Sequence, residues 1–351
     1  MSAATLLLAT ALAAPGMPPA DDQATATDRL AVARVERMVV KAHAFLVDHQ
    51  NPDGSFSIVR NDASASAPVA VTSLAALSLM ASGHLPDRGT HERAVRRAVD
   101  WLAAHCGEDG YFTTDGDVSR MHGQGYAVLA LSQAYGMEAG DKQRRDELRA
   151  AIERGVELIE STQGEQGGWW YDPRRVADHE GSITVCMIQA LRASRDVGFK
   201  VNTSVIDRAL GYMKESQKKE DGRFRYALND DRTSWALTAA ALSTLNALGE
   251  YAGETVQLGF EALQRDDPFI GQSTSNEVFI DYGALYAAQA YWQNGSRTAF
   301  DRWWPAFVAS CEERQRDDGS FLGGEHGWVY GTAIVSLTLQ VPLGYLPVFQ
   351  R

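Results

Sequence analysis

Gln50-Asn51-Pro52-Asp53-Gly54-Ser55-Phe56 and Gln315-Arg316-Asp317-Asp318-Gly319-Ser320-Phe321 lie at opposite ends of the chain and spell one phrase: a Gln, a polar run, Asp-Gly and an aromatic ring. Variants stand between them as Cys106-Gly-Glu-Asp-Gly-Tyr-Phe112, Gln163-Gly-Glu-Gln-Gly-Gly-Trp-Trp170 and Gln217-Lys-Lys-Glu-Asp-Gly-Arg-Phe224. With Gly54, Gly110, Gly168, Gly222 and Gly319 as markers, the intervals are 56, 58, 54 and 97 residues. Self-similarity at a near-fixed spacing marks an array of one supersecondary unit. The long interval spans two periods, so a sixth, degenerate unit is expected near residues 250–296, around Asp267-Pro-Phe-Ile-Gly-Gln.

Charge shows what each unit contains. Six windows carry no Asp, Glu, Lys or Arg: 69–86, 123–137, 181–191, 233–249, 282–296 and 327–350. Window 233–249 is rich in Ala and Leu, ends in Gly and is apolar around most of its circumference, as a buried helix must be. Charged amphipathic stretches lie between the windows: Asp28–His49, Glu92–His105, Asp141–Ser161, Val205–Ser216 and Arg297–Arg314. In the third, Leu148, Ile152, Val156 and Ile159 share one helical face. An outer amphipathic helix, a glycine turn and an inner apolar helix, repeated six times, bury the inner set only if the array closes. The expected fold is all-α, an α/α toroid of about six outer/inner helix pairs.

The chain has 351 residues and a net charge of −12. That balance disfavours nucleic acid and anionic membranes as partners. Residues 1–20 are an apolar run with an Ala-x-Ala site at Ala11–Ala13, which reads as a signal peptide for a secreted or periplasmic protein, although the segment has no Lys or Arg. Residues 21–28 read as a short linker and 29–351 as the repeat domain. No transmembrane span is expected after the leader, since Pro342 and Pro347 interrupt window 327–350. Cys106, Cys186 and Cys311 form no Cys-x-x-Cys pair and read as structural thiols.

With its Gln, Gly and aromatic phrases in register over residues 29–351, the chain resembles the α/α-toroid superfamily of terpenoid cyclases and protein prenyltransferases, whose repeats have the QW form. The resemblance implies that each Gln ties one helix end to the next while the aromatic stacks on it. It further implies a ligand cavity inside the ring, at the N-terminal ends of the inner helices. Those ends fall at His122 to Tyr126, His179 to Ser182, Asp230 to Trp235, Glu277 to Tyr282 and Glu325 to Tyr330.

The reactions known for such rings leave partial marks. Cyclases of the second class protonate an alkene with Asp-x-Asp-Asp; the nearest phrase is Asn229-Asp230-Asp231-Arg232-Thr233, which makes Asp230 and Asp231 the catalytic candidates. The phrase lacks the leading Asp and is followed by an Arg that would favour ionised carboxylates. Its structural alternative is helix capping by Asp231. The prenyltransferase zinc motif, Asp-x-Cys, does not occur. Asp115, Asp117, His122 and His179 are an incomplete ligand set, so neither metal nor cofactor is expected. Complement-type thioester chemistry needs a Cys that is missing before Gly164-Glu165-Gln166.

The cavity candidates are therefore His122, His179, Trp169, Trp170, Trp235, Asp281, Tyr282 and Tyr330, since aromatic faces suit an apolar or cationic guest. The Trp169–Tyr171 cluster reads equally as a wedge between helices. Arg60, Arg120, Arg174, Arg175, Arg223, Arg225 and Arg232 gather in the post-glycine loops, either as a cationic rim or as a solvated face balanced by nearby Asp residues. The leading expectation is a toroid that binds a hydrophobic or isoprenoid-like small molecule. The alternatives are a scaffold for a protein or peptide partner, and an enzyme acting on acidic polysaccharide.

Overall fold

A computed structural model describes residues 26–57, 66–137, 142–271, 279–294 and 297–350. Arg60, Glu277 and the leader at 1–20 lie outside the described residues. Among the described residues twelve α-helices alternate between two layers. The outer layer is α1 (Ala26–Asp48), α3 (Glu92–Ala104), α5 (Lys142–Thr162), α7 (Thr203–Glu215), α9 (Glu254–Arg265) and α11 (Arg297–Arg314). The inner layer is α2 (Pro68–Met80), α4 (Arg120–Met137), α6 (Gly181–Asp196), α8 (Trp235–Ala247), α10 (Ile280–Asn294) and α12 (Gly327–Thr338). Helix α1 begins at Ala26, inside the stretch read as a linker.

The layers differ as their composition requires. Helix α3 buries Ala94, Val95, Ala98, Val99, Trp101 and Leu102 on one face and leaves its arginines wet, whereas α8 buries every residue but Leu237. Each inner helix packs on the next, and α12 packs back onto α2, so the ring is closed. The fold is an all-α toroid. Its only described strands, β1 (Arg225–Ala227) and β2 (Asp230–Thr233), form an antiparallel hairpin just before α8. Among the described residues no helix is long and apolar enough to cross a membrane.

The repeated phrase is a clasp between neighbouring units. Gly54, Gly110, Gly167, Gly222 and Gly319 all adopt positive φ, so the marker in the third unit is Gly167 rather than Gly168. A Cβ at these positions would lie 2.2 to 2.5 Å from a carbonyl oxygen of the next outer helix: Arg97, Arg154, Arg208, Leu258 and, across the closure, Lys41. Only glycine allows both the left-handed backbone and that approach.

The glutamine makes two bonds, one to its own turn and one to the same neighbouring helix. Gln50 Nε2 donates to Gly54 O and Ala94 O, both at 2.9 Å. Gln163 reaches Gly167 and Val205, and Gln217 reaches Gly222 and Thr255. Gln315 reaches Gly319 at 3.0 Å and Met38 of α1 at 2.9 Å, which fastens the last unit to the first. Where the second unit has Cys106 instead, Gln124 of α4 supplies the amide, donating to Gly110 O and Gly155 O.

The aromatic then turns inward. Phe56, Trp169, Phe224 and Phe321 are all almost fully buried, and each donates its backbone N–H to an inner-helix threonine, Thr72, Thr184, Thr238 or Thr332. Each such ring contributes about 1.5–3 kcal/mol by burial.

Candidate ligand recess at the inner-helix N-termini

Because outer and inner helices alternate and each inner helix packs on the next, all six inner helices begin at one end of the ring. The other end is closed by the chain terminus. Val348 and Phe349 are buried there; Val348 N donates to Gln133 Oε1 at 3.2 Å and Gln293 Nε2 donates to Val348 O at 3.3 Å. The middle of the bore is also filled. Gln189 Nε2 donates to Gln289 Oε1 at 3.0 Å, with Ser243 bridging them, and Cys186 Sγ lies 3.8 Å from Tyr286 Oη.

The end where the inner helices start is walled by His122, Tyr282 and Tyr330, all half-buried. Burial raises the Tyr282 and Tyr330 hydroxyls well above the usual tyrosine range, with Cys186 adding to the first and Asp281 to the second. Burial, and to a lesser degree His326, lower His122 to about 4. Tyr282 packs on Tyr286 with centroids 4.7 Å apart, and its buried hydroxyl makes no hydrogen bond of ordinary geometry.

His122 is held by two chain segments. Arg120, at the head of α4, has φ +50 and is the single non-glycine residue with positive φ among those described; the next amide, Met121 N, donates to Tyr171 O at 3.1 Å. Such backbone costs of order 1–3 kcal/mol and persists where its surroundings demand it. From α6, Ser182 Oγ meets His122 Nε2 at 2.9 Å and donates to Glu180 Oε2 at 2.5 Å. Glu180 caps α6 by accepting from Ser182 N at 3.0 Å and Ile183 N at 2.9 Å. It is 1% exposed. Burial raises its pKa, and the bonds from Ser182 and Ile183 oppose that rise.

Asp281 borders the same end of α10. It pairs with Arg314 of α11 at 2.9 Å, and burial raises its pKa against the pull of that guanidinium. His122, Asp281, Tyr282 and Tyr330 are thus the sequence candidates that the ring gathers together.

The remaining candidates lie elsewhere. Asp230 and Asp231 sit on the hairpin. Asp230 is paired with Arg232 at 2.6 Å, and that hydrogen-bonded partner lowers its pKa; Asp231 is 79% exposed and 3.5 Å from Arg225. A carboxylate held ionised at the surface is a poor proton donor. Neither caps α8, because Ser234 does so, accepting from Leu237 N at 3.0 Å.

His179 is bonded to Gln166 at 2.6 Å and to Tyr212 at 3.2 Å, and it does not converge with His122. Asp117 accepts from Val69 N and so caps the preceding inner helix. Trp169 is a wedge: its Nε1 donates to Ile159 O at 2.7 Å. Trp170 is half-buried against Tyr171. Trp235 packs where a Cβ on Gly283 would be, and it meets Phe269 edge-on in the outer packing. Arg120, Arg174, Arg223, Arg225 and Arg232 are all ion-paired to aspartates, so these five form a balanced face.

Sequence reasoning missed Glu180 and Ser182. The local signal was slight, a carboxylate two residues before a hydroxyl at the start of window 181–191.

No protein-family model matches the sequence, and comparison with curated proteins gave no match. Solved structures do resemble it. A type II terpene cyclase from Scytonema, MstE, in complex with its substrate geranylgeranyl dihydroxybenzoate, has a TM-score of 0.59 at 18% identity, over 89% of this chain and 98% of its own. A variant glycosidase in complex with glucose has a TM-score of 0.60 at 15% identity, over 90% and 98%. The wild-type glycosidase gives 0.58 at 14% identity over the same shares. At such identities the likeness establishes the fold alone, an α/α toroid shared with a terpene cyclase and a glycosidase.

Proposed function

We propose that this chain binds a hydrophobic, isoprenoid-like small molecule in the recess at the inner-helix N-termini. The observation that carries the reading is the apolar rim around an aromatic wall. Val118, Phe279 and Leu322, from three of the loops that lead into inner helices, are about half exposed, and Tyr282 and Tyr330 line the interior. Exposed apolar side chains gathered round a concave site favour an apolar guest. The Scytonema cyclase, which carries a geranylgeranyl substrate on the same fold, supports the choice of guest. The proposal is one of binding, and Asp230 and Asp231 take no part in it.

Calorimetric titration with geranylgeraniol tests it. One saturable site is expected, weakened about tenfold or more in Tyr330→Ala, the scale of a truncated aromatic anchor. Absence of saturable binding, or binding indifferent to Tyr330→Ala, refutes it.

A second reading has one observation in its favour, the equal likeness to a glycosidase that holds glucose. It takes the recess as a saccharide site, with Glu180 and Asp281 as its carboxylates. Glucose or an oligosaccharide competing with geranylgeraniol would favour it. We also propose export to the periplasm or medium on the strength of residues 1–20; N-terminal sequencing of exported protein, starting just after Ala13, is the expected result.

A further inference from the structure

We infer that the ligand of this recess carries a hydroxyl group that donates a hydrogen bond to His122 Nδ1, with Ser182 and Glu180 holding the imidazole in the tautomer that leaves Nδ1 free. The inference rests on the recess being a ligand site and adds the polar group of the guest.

The direction of the hydrogen bonds follows from Glu180. Its carboxylate receives three donors, Ser182 N, Ile183 N and Ser182 Oγ, and all three bonds stabilise the ionised form, which can only accept. The Ser182 proton is therefore committed to Glu180. What Ser182 Oγ offers His122 at 2.9 Å is a lone pair, so Nε2 must carry the imidazole proton. A neutral imidazole protonated on Nε2 presents a bare acceptor at Nδ1. That nitrogen makes no hydrogen bond among the described residues.

Neutrality is secured by the surroundings. Burial and the facing His326 hold the imidazolium form down to about 4, so the ring accepts rather than donates at Nδ1 near neutral pH. Burial would leave such an acceptor uncompensated once an apolar chain filled the recess, at a penalty that selects against a guest without a donor. An amphiphile with an apolar chain and a terminal alcohol or phenol supplies the donor that Nδ1 lacks. A bare hydrocarbon does not.

Two measurements test this. In the first, geranylgeraniol, its methyl ether and the corresponding hydrocarbon are titrated into wild type and His122→Phe. Wild type is expected to prefer the alcohol over the ether by about tenfold, and His122→Phe to bind both alike, as loss of one hydrogen bond in a dry site implies. Equal binding of alcohol and ether by wild type overturns the inference while leaving a hydrophobic-ligand site standing. Discrimination retained in His122→Phe overturns the role of His122. Failure of all three to bind overturns the recess reading, and this inference falls with it.

The second needs no ligand. Nitrogen-15 NMR of the histidine rings should show His122 protonated on Nε2 in wild type and as a tautomer mixture in Ser182→Ala. A wild-type His122 protonated on Nδ1 overturns the inference. An unchanged spectrum in Ser182→Ala does so as well.

Discussion

Replacing Gly319 by alanine should open the ring at its closure. Gly319 has φ +88, and an added Cβ would lie 2.3 Å from Lys41 O and 2.5 Å from Lys41 C, in the backbone of α1. Left-handed backbone costs an L-residue about 1–2 kcal/mol. Relieving the overlap requires α1 to move outward, and that motion pulls Met38 O away from Gln315 Nε2, now 2.9 Å apart. Losing that bond and stranding its acceptor adds about 1–3 kcal/mol. The total is about 2–5 kcal/mol, a large share of a domain's stability.

Gly83 is the control. It has φ +80 but meets nothing within 4 Å, so Gly83→Ala should cost only the backbone share of about 1–2 kcal/mol. Urea unfolding followed by helical circular dichroism and tryptophan fluorescence measures both variants. If Gly319→Ala loses no more than Gly83→Ala, the clasp does not bear on stability and the account of the repeated phrase is wrong.

Three further outcomes follow from the geometry. Glu180→Ala removes the cap on Ser182 N and Ile183 N and should destabilise the protein by about 1–2 kcal/mol in the same unfolding assay; an unchanged midpoint contradicts the cap. Asp267 is fully buried, and burial raises its pKa from 3.8 to about 6 against bonds from Phe269 N, Tyr291 Oη and Ile270 N. The folded state therefore holds this proton more tightly than the unfolded one, so its stabilisation is complete below pH 3.8 and disappears as pH rises through about 6. Asp267→Asn should gain on wild type across that window by about 3 kcal/mol, read from urea midpoints at each pH; a constant difference refutes the shift. Asp230→Asn combined with Asp231→Asn should leave geranylgeraniol affinity within about twofold of wild type, the scale of surface changes, and a larger loss would return the hairpin to the site.

What could be read from the residues was what repeats locally. Asp-Gly-aromatic at a fixed spacing required a turn and a wedge in every unit, and Arg297–Arg314 came out with the bounds of α11. Helix α9 was not singled out, since the degenerate turn near Asp267 that follows it lacks the glycine marker. The nearness of Asp230 and Asp231 to Thr233 suggested a helix start, whereas both carboxylates lie on β2 of a hairpin that precedes α8.

The site itself depends on packing between successive units. His122 and Ser182 are 60 residues apart and belong to different inner helices, so no local pattern joins them. Gln124 standing in for the glutamine missing at Cys106 is invisible for the same reason: its acceptors, Gly110 and Gly155, come from a turn and from an outer helix.

Photoaffinity labelling tests the central claim, that the recess at the inner-helix N-termini is where this toroid binds its ligand. A diazirine-bearing geranylgeraniol analogue, crosslinked to the intact protein and mapped by peptide mass spectrometry, should mark peptides containing His122, Tyr282 and Tyr330, and excess geranylgeraniol should suppress the marking. Labels confined to the 225–233 hairpin or to the outer helices, or labels that excess ligand does not suppress, would contradict it.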